Sequence, residues 1–136
     1  MKNMASVDED FPMPEPVDAA RGVEEITSAI ELRYAIGDCS TSVTMIDFYT
    51  EWCAPCKAIA PKIEELARGT PSMRCYKVDV EKVDVRGLGL EIQSVPTFMF
   101  FQDGEKVEEI AGARLTEIRG AVDRFTSNAA ASVDEE

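Results

Sequence analysis

The segment that most constrains the fold joins an apolar run, Val43 to Tyr49, to the pentapeptide Trp52-Cys53-Ala54-Pro55-Cys56. The run is rich in β-branched and aromatic residues and is apolar on both faces apart from Asp47, which is typical of a central strand in a largely parallel sheet. After the cysteines, apolar residues recur at helical spacing, at Ile59, Ile63 and Leu66. The two cysteines are therefore predicted to lie between a buried strand and the start of a helix.

The rest of the chain alternates strand and helix patterns on either side of this segment. Strands are predicted at Val23 to Thr27, Met73 to Val80, Thr97 to Phe101 and Lys106 to Ala111, and helices from the capping box Ser28-x-x-Glu31, from Lys82 to about Ile92 and from about Leu115. This order predicts an α/β fold: a three-layer α/β/α sandwich with a mixed central sheet and a C-terminal antiparallel hairpin. Ligands of such sheets meet the carboxyl ends of the strands, where Cys53 is predicted to lie.

Length and composition narrow the class of protein. The 136 residues suit one domain, predicted at 22–126, between a disordered acidic Pro-containing tail at 1–21 and an acidic tail at 127–136. A net charge of -12 opposes binding to nucleic acid or to an anionic membrane. The lack of histidine excludes a Cys/His zinc site and a cysteine–histidine dyad. Because no secretory or membrane segment is readable, we expect a cytoplasmic protein, with a nuclear or organellar location left open. We also expect it to be a monomer.

The spacing of Cys53 and Cys56 is compatible with a redox pair, half of a metal site or a structural disulfide. A metal site would need two more ligands, and only Cys39 and Cys75 remain, neither of them in a second Cys-x-x-Cys. A disulfide within one helical turn would constrain little of the chain. The redox pair is therefore favoured, with Cys75 predicted to be an inert core cysteine and Cys39 an exposed one.

The helix start distinguishes the two cysteines. A cysteine at that position faces free helix amides and the positive end of the dipole, which favour its thiolate. Cys53 is therefore predicted to point outward and attack, and Cys56, one turn further in, to be the buried resolving thiol. Pro55 suits the first turn, where a backbone N–H would have no helical partner.

Asp47 and Lys77 are charged residues in neighbouring predicted strands. A carboxyl in a buried strand is costly unless it is paired or neutral, and Lys77 is the nearest predicted partner. One hypothesis is a buried ion pair that only fixes the strand register. The other is that Asp47 has a raised pKa and takes the proton from Cys56 when that thiol attacks a mixed disulfide. These residues alone leave both hypotheses open.

Residues from about 22 to 126 resemble thioredoxin in a series of motifs. The motifs are Asp47-Phe48-Tyr49, Trp52-Cys53-Ala54-Pro55-Cys56-Lys57, Ala60-Pro61, Lys77-Val78-Asp79, Val95-Pro96-Thr97 and Gly112-Ala113. The resemblance implies a thioredoxin fold in which Pro96 is cis and faces the sulfurs. It also implies a substrate-binding groove whose residues are Trp52, Ala54, Pro55, Val95, Pro96 and Gly112. A functional role for Asp47 becomes the favoured hypothesis, and Ala54 departs from the glycine usual in the family.

The predicted function is the reduction of protein disulfides. Cys53 would form a mixed disulfide with the target and Cys56 would resolve it, with Asp47 and Lys77 completing the catalytic set. The cysteine pair is the redox group, and no added cofactor or metal is expected. Because no nucleotide-binding glycine fingerprint is present, a separate disulfide reductase would regenerate the dithiol. The alternatives are a thioredoxin-like binding subunit without enzymatic activity, and a disulfide isomerase or oxidant.

Overall fold

The strands and helices of the computed structural model follow the predicted order with one exception. The structure describes residues 22–134, with side chains described through residue 126, so the predicted tail at 1–21 lies outside the described residues. The strands are β1 (Val23–Ile26), β2 (Val43–Tyr49), β3 (Met73–Asp79), β4 (Thr97–Gln102) and β5 (Glu105–Ala111). The helices are α1 (Ala29–Gly37), α2 (Ala54–Arg68) and α3 (Leu115–Asp134), and a 3-10 turn lies at Arg86–Leu88. Helix α3 passes residue 126, and the domain boundaries stay predictions.

The five described strands form one mixed sheet in the order β1-β3-β2-β4-β5. Strands β1, β3 and β2 are parallel, whereas β4 is antiparallel to both β2 and β5. Strand β2 occupies the centre because it is apolar on both faces, and every residue in it except Tyr49 is buried. The predicted mixed sheet and C-terminal hairpin are confirmed. The three parallel strands end at one edge of the sheet, where Cys53 follows β2.

Helices cover both faces of the sheet, which confirms the predicted three layers. Helices α2 and α3 pack on one face over a core that includes Met45, Ile59, Ile63, Cys75, Phe98, Phe100 and Ile118. Helix α1 and the chain around the 3-10 turn cover the other face, with a core that includes Leu32, Ile46, Phe48, Val83 and Met99. Because side chains alternate along a strand, Asp47 and Lys77 lie on the α2 face. None of the described helices is long and apolar enough to cross a membrane.

The predicted crossover helix from Lys82 to Ile92 is wrong, since the chain forms only the 3-10 turn within that range. Asp84 Oδ1 accepts a hydrogen bond from the Gly87 N–H at 3.2 Å, a local contact that competes with helix formation. Gly89 then takes a left-handed conformation, with φ of +82°, and ends the turn. Val83 and Val85 are nevertheless buried. The apolar residues that suggested a helix therefore pack into the core from an irregular segment.

Candidate active site

Cys53 and Cys56 lie at the junction of β2 and α2, as predicted. Cys53 is the N-cap residue of α2, and its Sγ accepts a hydrogen bond from the Cys56 backbone N–H at 3.1 Å. The two sulfurs lie at disulfide distance, with 5.2 Å between the Cα atoms. Pro55 lies in the first turn of the helix. Because helix amides and the helix dipole stabilise a thiolate at this position, the pair has the geometry of a redox centre.

The exposure of the two cysteines differs from the prediction. Cys53 was expected outside and Cys56 inside, but the residues are 4% and 5% exposed. Cys53 is covered because its sulfur is bonded to Cys56 and lies 3.7 Å from the Val95 carbonyl oxygen. Its neighbours along the chain are exposed, namely Trp52, Ala54 and Pro55. The two cysteines differ in their surroundings: exposed residues flank Cys53 in the chain, whereas Cys56 lines a cavity.

We use the name Pro96 surface for four residues: the exposed Trp52, which precedes Cys53 in the chain, the partly exposed Val95 and Gly112, and the buried Pro96 between them. Of these, Val95 lies beside the Cys53 sulfur. The Val95–Pro96 peptide bond is cis, as the resemblance implies. The Gly112 N–H donates a hydrogen bond to the Pro96 carbonyl oxygen at 2.7 Å, with Gly112 at φ +102°. The structure thus brings two distant segments of the chain, at Val95–Pro96 and at Gly112, together near the Cys53 sulfur.

Trp52 has a partner that the sequence reasoning missed. Its indole Nε1 donates a hydrogen bond to Glu81 Oε2 at 2.9 Å, although Trp52 is 67% exposed. An ion pair between Lys82 and Glu51, at 2.9 Å, joins the same two loops. Glu81 follows β3 as Trp52 follows β2, and neighbouring parallel strands end at the same edge of a sheet. That rule could have identified the contact from the sequence.

Cys56 borders a cavity of about 420 Å³, which we call the Asp47 cavity. Its lining residues are Asp47, Tyr49, Thr50, Glu51, Cys56, Lys57, Ala60 and Lys77. Asp47 is 6% exposed, and no group within the described side chains forms a hydrogen bond with its buried Oδ1. Burial raises the pKa of Asp47 from 3.8 to about 7, although the positive charge of Lys77 acts to lower it. A carboxyl that titrates near neutrality can take up or release a proton beside a redox cysteine.

Lys77 lies next to Asp47 in the sheet but does not form an ion pair with it. The two residues are directly paired in the register of β2 and β3. The ammonium group lies over the ring of Tyr49, 5.7 Å from its centroid, and the Tyr49 hydroxyl donates a hydrogen bond to the Glu25 carboxylate on β1. Among the described side chains, no Lys77–Asp47 ion pair is found, so the hypothesis of a buried pair does not hold at contact distance. Lys77 acts on Asp47 through the electrostatic field of its charge.

The other two cysteines lie apart from the redox pair. Cys75 is buried in the core beneath α2, as predicted, and burial raises the pKa of its thiol. Cys39 is exposed, as predicted, and desolvation followed by the charge of Asp103 raises its pKa. Neither environment favours a thiolate. Across the described residues, no three His, Cys, Asp or Glu side chains are grouped closely enough to hold a metal ion.

A disulfide-forming pair at a helix start, at the carboxyl edge of a mixed sheet, defines a thiol–disulfide oxidoreductase. Residues 26–124 match the sequence model of the thioredoxin family. Thioredoxin-2 of Pyricularia oryzae is 36% identical, with 74% of this chain and 57% of that protein covered, and thioredoxin-1 of Schizosaccharomyces pombe is 30% identical, with 74% and 95% covered. The structure of Malassezia sympodialis thioredoxin superimposes with a TM-score of 0.71 at 31% identity, over 79% of this chain and 94% of that one. The chain belongs to the thioredoxin family.

Family membership confirms the predicted fold and the predicted class of enzyme. The chain is a thiol–disulfide oxidoreductase whose Cys-x-x-Cys motif is Cys53 to Cys56. Thioredoxins are protein-disulfide reductases, which act on disulfide-bearing substrates and are themselves reduced by reductases. The chain spans little more than half of the Pyricularia oryzae relative, at 57%, but almost all of the Schizosaccharomyces pombe one, at 95%.

Proposed function

We propose that the protein reduces protein disulfides by two successive thiol–disulfide exchanges. The Cys53 thiolate attacks one sulfur of the target disulfide, which forms a mixed disulfide and releases the other target sulfur as a thiolate. Cys56 then loses its proton and attacks the Cys53 sulfur, which closes the Cys53–Cys56 disulfide and releases the second target sulfur. The target gains two electrons and the dithiol loses two. The observation that carries this proposal is the Cys53 Sγ at the N-cap of α2, hydrogen-bonded to the Cys56 N–H.

In this proposal Asp47 is the group that accepts the proton of Cys56. Both residues line the Asp47 cavity, and a pKa of about 7 lets the carboxyl change its protonation state near neutral pH. Lys77 tunes the reaction, because its positive charge favours the carboxylate that can act as a base. When the disulfide of the protein is itself reduced, the same carboxyl returns the proton to Cys56.

The Pro96 surface, together with Ala54 and Pro55, is proposed to bind an extended segment of the substrate. The Val95 carbonyl oxygen lies 3.7 Å from the attacking sulfur, and the β4 ladder begins two positions later, at Thr97. A peptide that pairs with the backbone at Val95 would therefore bring its own disulfide to Cys53. The exposed ring of Trp52 adds apolar area at the rim of this surface.

The partners follow from the same chemistry and from the charge of the chain. A separate disulfide reductase is proposed to regenerate the dithiol, and the Cys53–Cys56 pair is proposed to work without an added cofactor. The net charge of -12 favours basic or neutral protein partners over nucleic acid and anionic membranes. We further propose that the protein acts as a monomer in the cytoplasm, as an electron carrier to protein disulfides.

Reduction of insulin disulfides, followed as turbidity in the presence of dithiothreitol, tests the proposal. Cys53→Ser is expected to lower the rate to that of dithiothreitol alone, because the attacking sulfur is removed. Cys56→Ser is expected to accumulate a mixed disulfide on Cys53. Cys39→Ser is the matched control, since this exposed cysteine lies apart from the pair, and it is expected to keep the wild-type rate. A Cys53→Ser protein as active as the wild type would falsify the proposal.

The direction of electron flow is tested by equilibrating the protein with defined ratios of reduced and oxidised glutathione. A reductant is expected to have a potential below about -230 mV, whereas a potential near about -180 mV or above would indicate an isomerase or an oxidant. Capture of a partner protein by a double Cys53→Ser, Cys56→Ser variant, unchanged from the wild type, would instead support a binding subunit.

A further inference from the structure

Tyr49 is a partly buried residue of the Asp47 cavity to which the proposed reaction assigns no role. It is the last residue of β2, and its hydroxyl donates a hydrogen bond to Oε2 of Glu25 on β1. Strand β3 lies between β1 and β2 in the sheet. The Tyr49 side chain, which begins on β2 and is bonded to a side chain of β1, therefore passes over β3.

Lys77 is the residue of β3 that lies beneath this crossing. It is in register with Glu25 on one side and with Asp47 on the other. All of these side chains lie on the α2 face, because alternate residues of a strand share a face. The Lys77 ammonium group is 5.7 Å from the centroid of the Tyr49 ring, a distance at which the face of a ring attracts a cation. Among the described side chains, the ammonium forms an ion pair with neither of the two carboxylates beside it.

We propose that Tyr49 is a positioning residue, whose ring, fixed by its hydrogen bond to Glu25, holds the Lys77 ammonium group away from the Asp47 carboxyl. A lysine side chain is long and flexible, and the register places Asp47 within its reach. An ion pair at contact distance would lower the pKa of Asp47 more than the same charge does from the ring. The ring thus preserves a carboxyl that binds a proton near neutral pH. The consequence for catalysis rests on the proposed function, in which Asp47 exchanges a proton with Cys56.

The bond between Tyr49 and Glu25 is suited to hold the ring in place. Burial, and then the Glu25 carboxylate, raise the pKa of the Tyr49 hydroxyl, so the hydroxyl keeps the proton that it donates. The other titratable or charged side chains near Tyr49 or Asp47 come from the loop after β2, from α2 and from β3, and they are Glu51, Cys56, Lys57, Cys75 and Asp79. Strand β4 pairs the uncharged Phe98 with Asp47. Replacement of Tyr49 by leucine removes none of these groups.

The test measures the pKa of Asp47 by NMR of its carboxyl carbon in the oxidised protein, where Cys56 is in the disulfide and does not titrate. Tyr49→Leu frees the Lys77 ammonium group to approach the carboxyl, so the pKa is expected to fall, with an ionisation constant about tenfold larger. Tyr49→Phe keeps the ring without its bond to Glu25 and is expected to cause a smaller change in the same direction. Tyr34→Leu, at an exposed tyrosine of α1 on the opposite face, is the matched control and is expected to leave the pKa unchanged.

Removal of the ring also opens the Asp47 cavity to water, which by itself would lower the pKa of the carboxyl. A Tyr49→Leu, Lys77→Met double variant, compared with Lys77→Met alone, separates the two causes. If the ammonium group is the cause, Tyr49→Leu leaves the pKa of Asp47 unchanged in that background. An equal fall with and without Lys77, or an unchanged pKa in the Tyr49→Leu single variant, would overturn the inference. A Tyr49→Phe titration identical to that of the wild type would overturn the part assigned to Glu25.

The pH dependence of insulin reduction by the pre-reduced protein separates this inference from the proposed function. The acid limb of the Tyr49→Leu profile is expected to move to lower pH, because the Asp47 carboxylate forms more readily. If the NMR titration shifts as expected while the acid limb stays in place, the positioning role of Tyr49 stands and the role of Asp47 as proton acceptor fails. Should Tyr49→Leu not fold, Tyr49→Phe decides by the same comparison with and without Lys77.

Discussion

The Pro96 surface and the Asp47 cavity lie on the two sides of one disulfide and are built from different parts of the chain. On the Pro96 surface, the contacts at Cys53 and between the segments are made by backbone atoms, the Val95 and Pro96 carbonyls and the Gly112 N–H. In the Asp47 cavity the polar groups belong to side chains, and the central one is a buried carboxyl with a pKa of about 7.

This difference matches the two tasks that the proposed function assigns to the two regions. Backbone contacts vary little with pH and read the extended shape of a peptide, which suits the recognition of many substrates. A buried carboxyl responds to pH and to single charges around it, which suits proton transfer. We therefore expect changes on the Pro96 surface to alter the KM for substrate, and changes in the Asp47 cavity to alter the pH dependence of the rate.

The largest expected effect is that of Asp47→Asn. With a folded-state pKa raised from 3.8 to about 7, the wild type loses stability as pH rises through that range, because ionising the buried carboxyl is unfavourable. That shift corresponds to up to about 4 kcal/mol at pH 8, which Asp47→Asn is expected to recover. Denaturant unfolding of the oxidised protein between about pH 4 and pH 8 measures the widening difference.

The exposed Asp123→Asn serves as the control for Asp47→Asn and is expected to follow the wild type throughout. The asparagine variant is also expected to reduce insulin more slowly, with an unchanged KM. Parallel stability curves for Asp47→Asn and the wild type would show that the carboxyl is not the pH-sensitive element of the cavity.

The next effect in size belongs to the Pro96 surface and is that of Gly112→Ala. Gly112 has φ of +102°, where an L-residue costs about 1–2 kcal/mol, and its N–H is bonded to the Pro96 carbonyl. Gly104, at φ +83° in the hairpin turn and with open space where an alanine Cβ would lie, provides a matched backbone control. Both alanine variants are expected to lose similar stability in denaturant unfolding, but only Gly112→Ala is expected to raise the KM for insulin. Equal KM values would remove Gly112 from the substrate surface.

In the Asp47 cavity, Lys77→Met is expected to give a smaller effect than Asp47→Asn. The charge of Lys77 lowers the pKa of Asp47, so its removal raises that pKa further and moves the acid limb of the rate profile to higher pH. At pH 7 the rate is expected to fall roughly threefold, with KM unchanged. The exposed Lys62→Met, at a residue that does not line the cavity, is the control for charge alone. A limb displaced to lower pH would contradict the assigned role of Lys77.

The sequence was sufficient for those parts of the fold and site that depend on local pattern. The apolar run of β2, the helical spacing of α2 and the Asp-Gly turn of the hairpin each predicted their element, because periodicity and turn chemistry act over a few residues. The position of Asp47 beside Lys77 in the sheet, although not an ion pair between them, was predicted because the two residues lie in neighbouring strands. Between Lys82 and Ile92 the same rules failed, since the Asp84 side chain and Gly89 favour a turn that apolar spacing does not reveal.

The remaining features depend on segments that meet only in the folded chain. The Asp47 cavity is lined by residues of β2, α2 and β3, which are far apart along the chain. No sequence pattern therefore predicts that the Thr50 hydroxyl is buried without a partner among the described groups. The nearly equal exposure of Cys53 and Cys56 depends on the Val95 carbonyl, which lies 3.7 Å from the Cys53 sulfur but far away along the chain. The cis bond before Pro96 was implied by family resemblance and not by any local pattern.

The smallest expected effect, that of Trp52→Phe, tests whether the Pro96 surface and the Asp47 cavity are independent. The variant keeps an exposed ring but loses the hydrogen bond from Nε1 to Glu81, so stability is expected to change by less than about 1 kcal/mol. The KM for insulin is expected to rise about twofold, because an ordinary hydrogen bond contributes little at an exposed site. Glu81→Gln, which keeps an acceptor oxygen, is expected to behave as the wild type. Glu81 follows β3, the strand on which Lys77 lies. A shifted pH profile for Trp52→Phe would therefore mean that a change on the Pro96 surface alters the pKa of Asp47 through β3. The Pro96 surface and the Asp47 cavity would then be coupled and not independent.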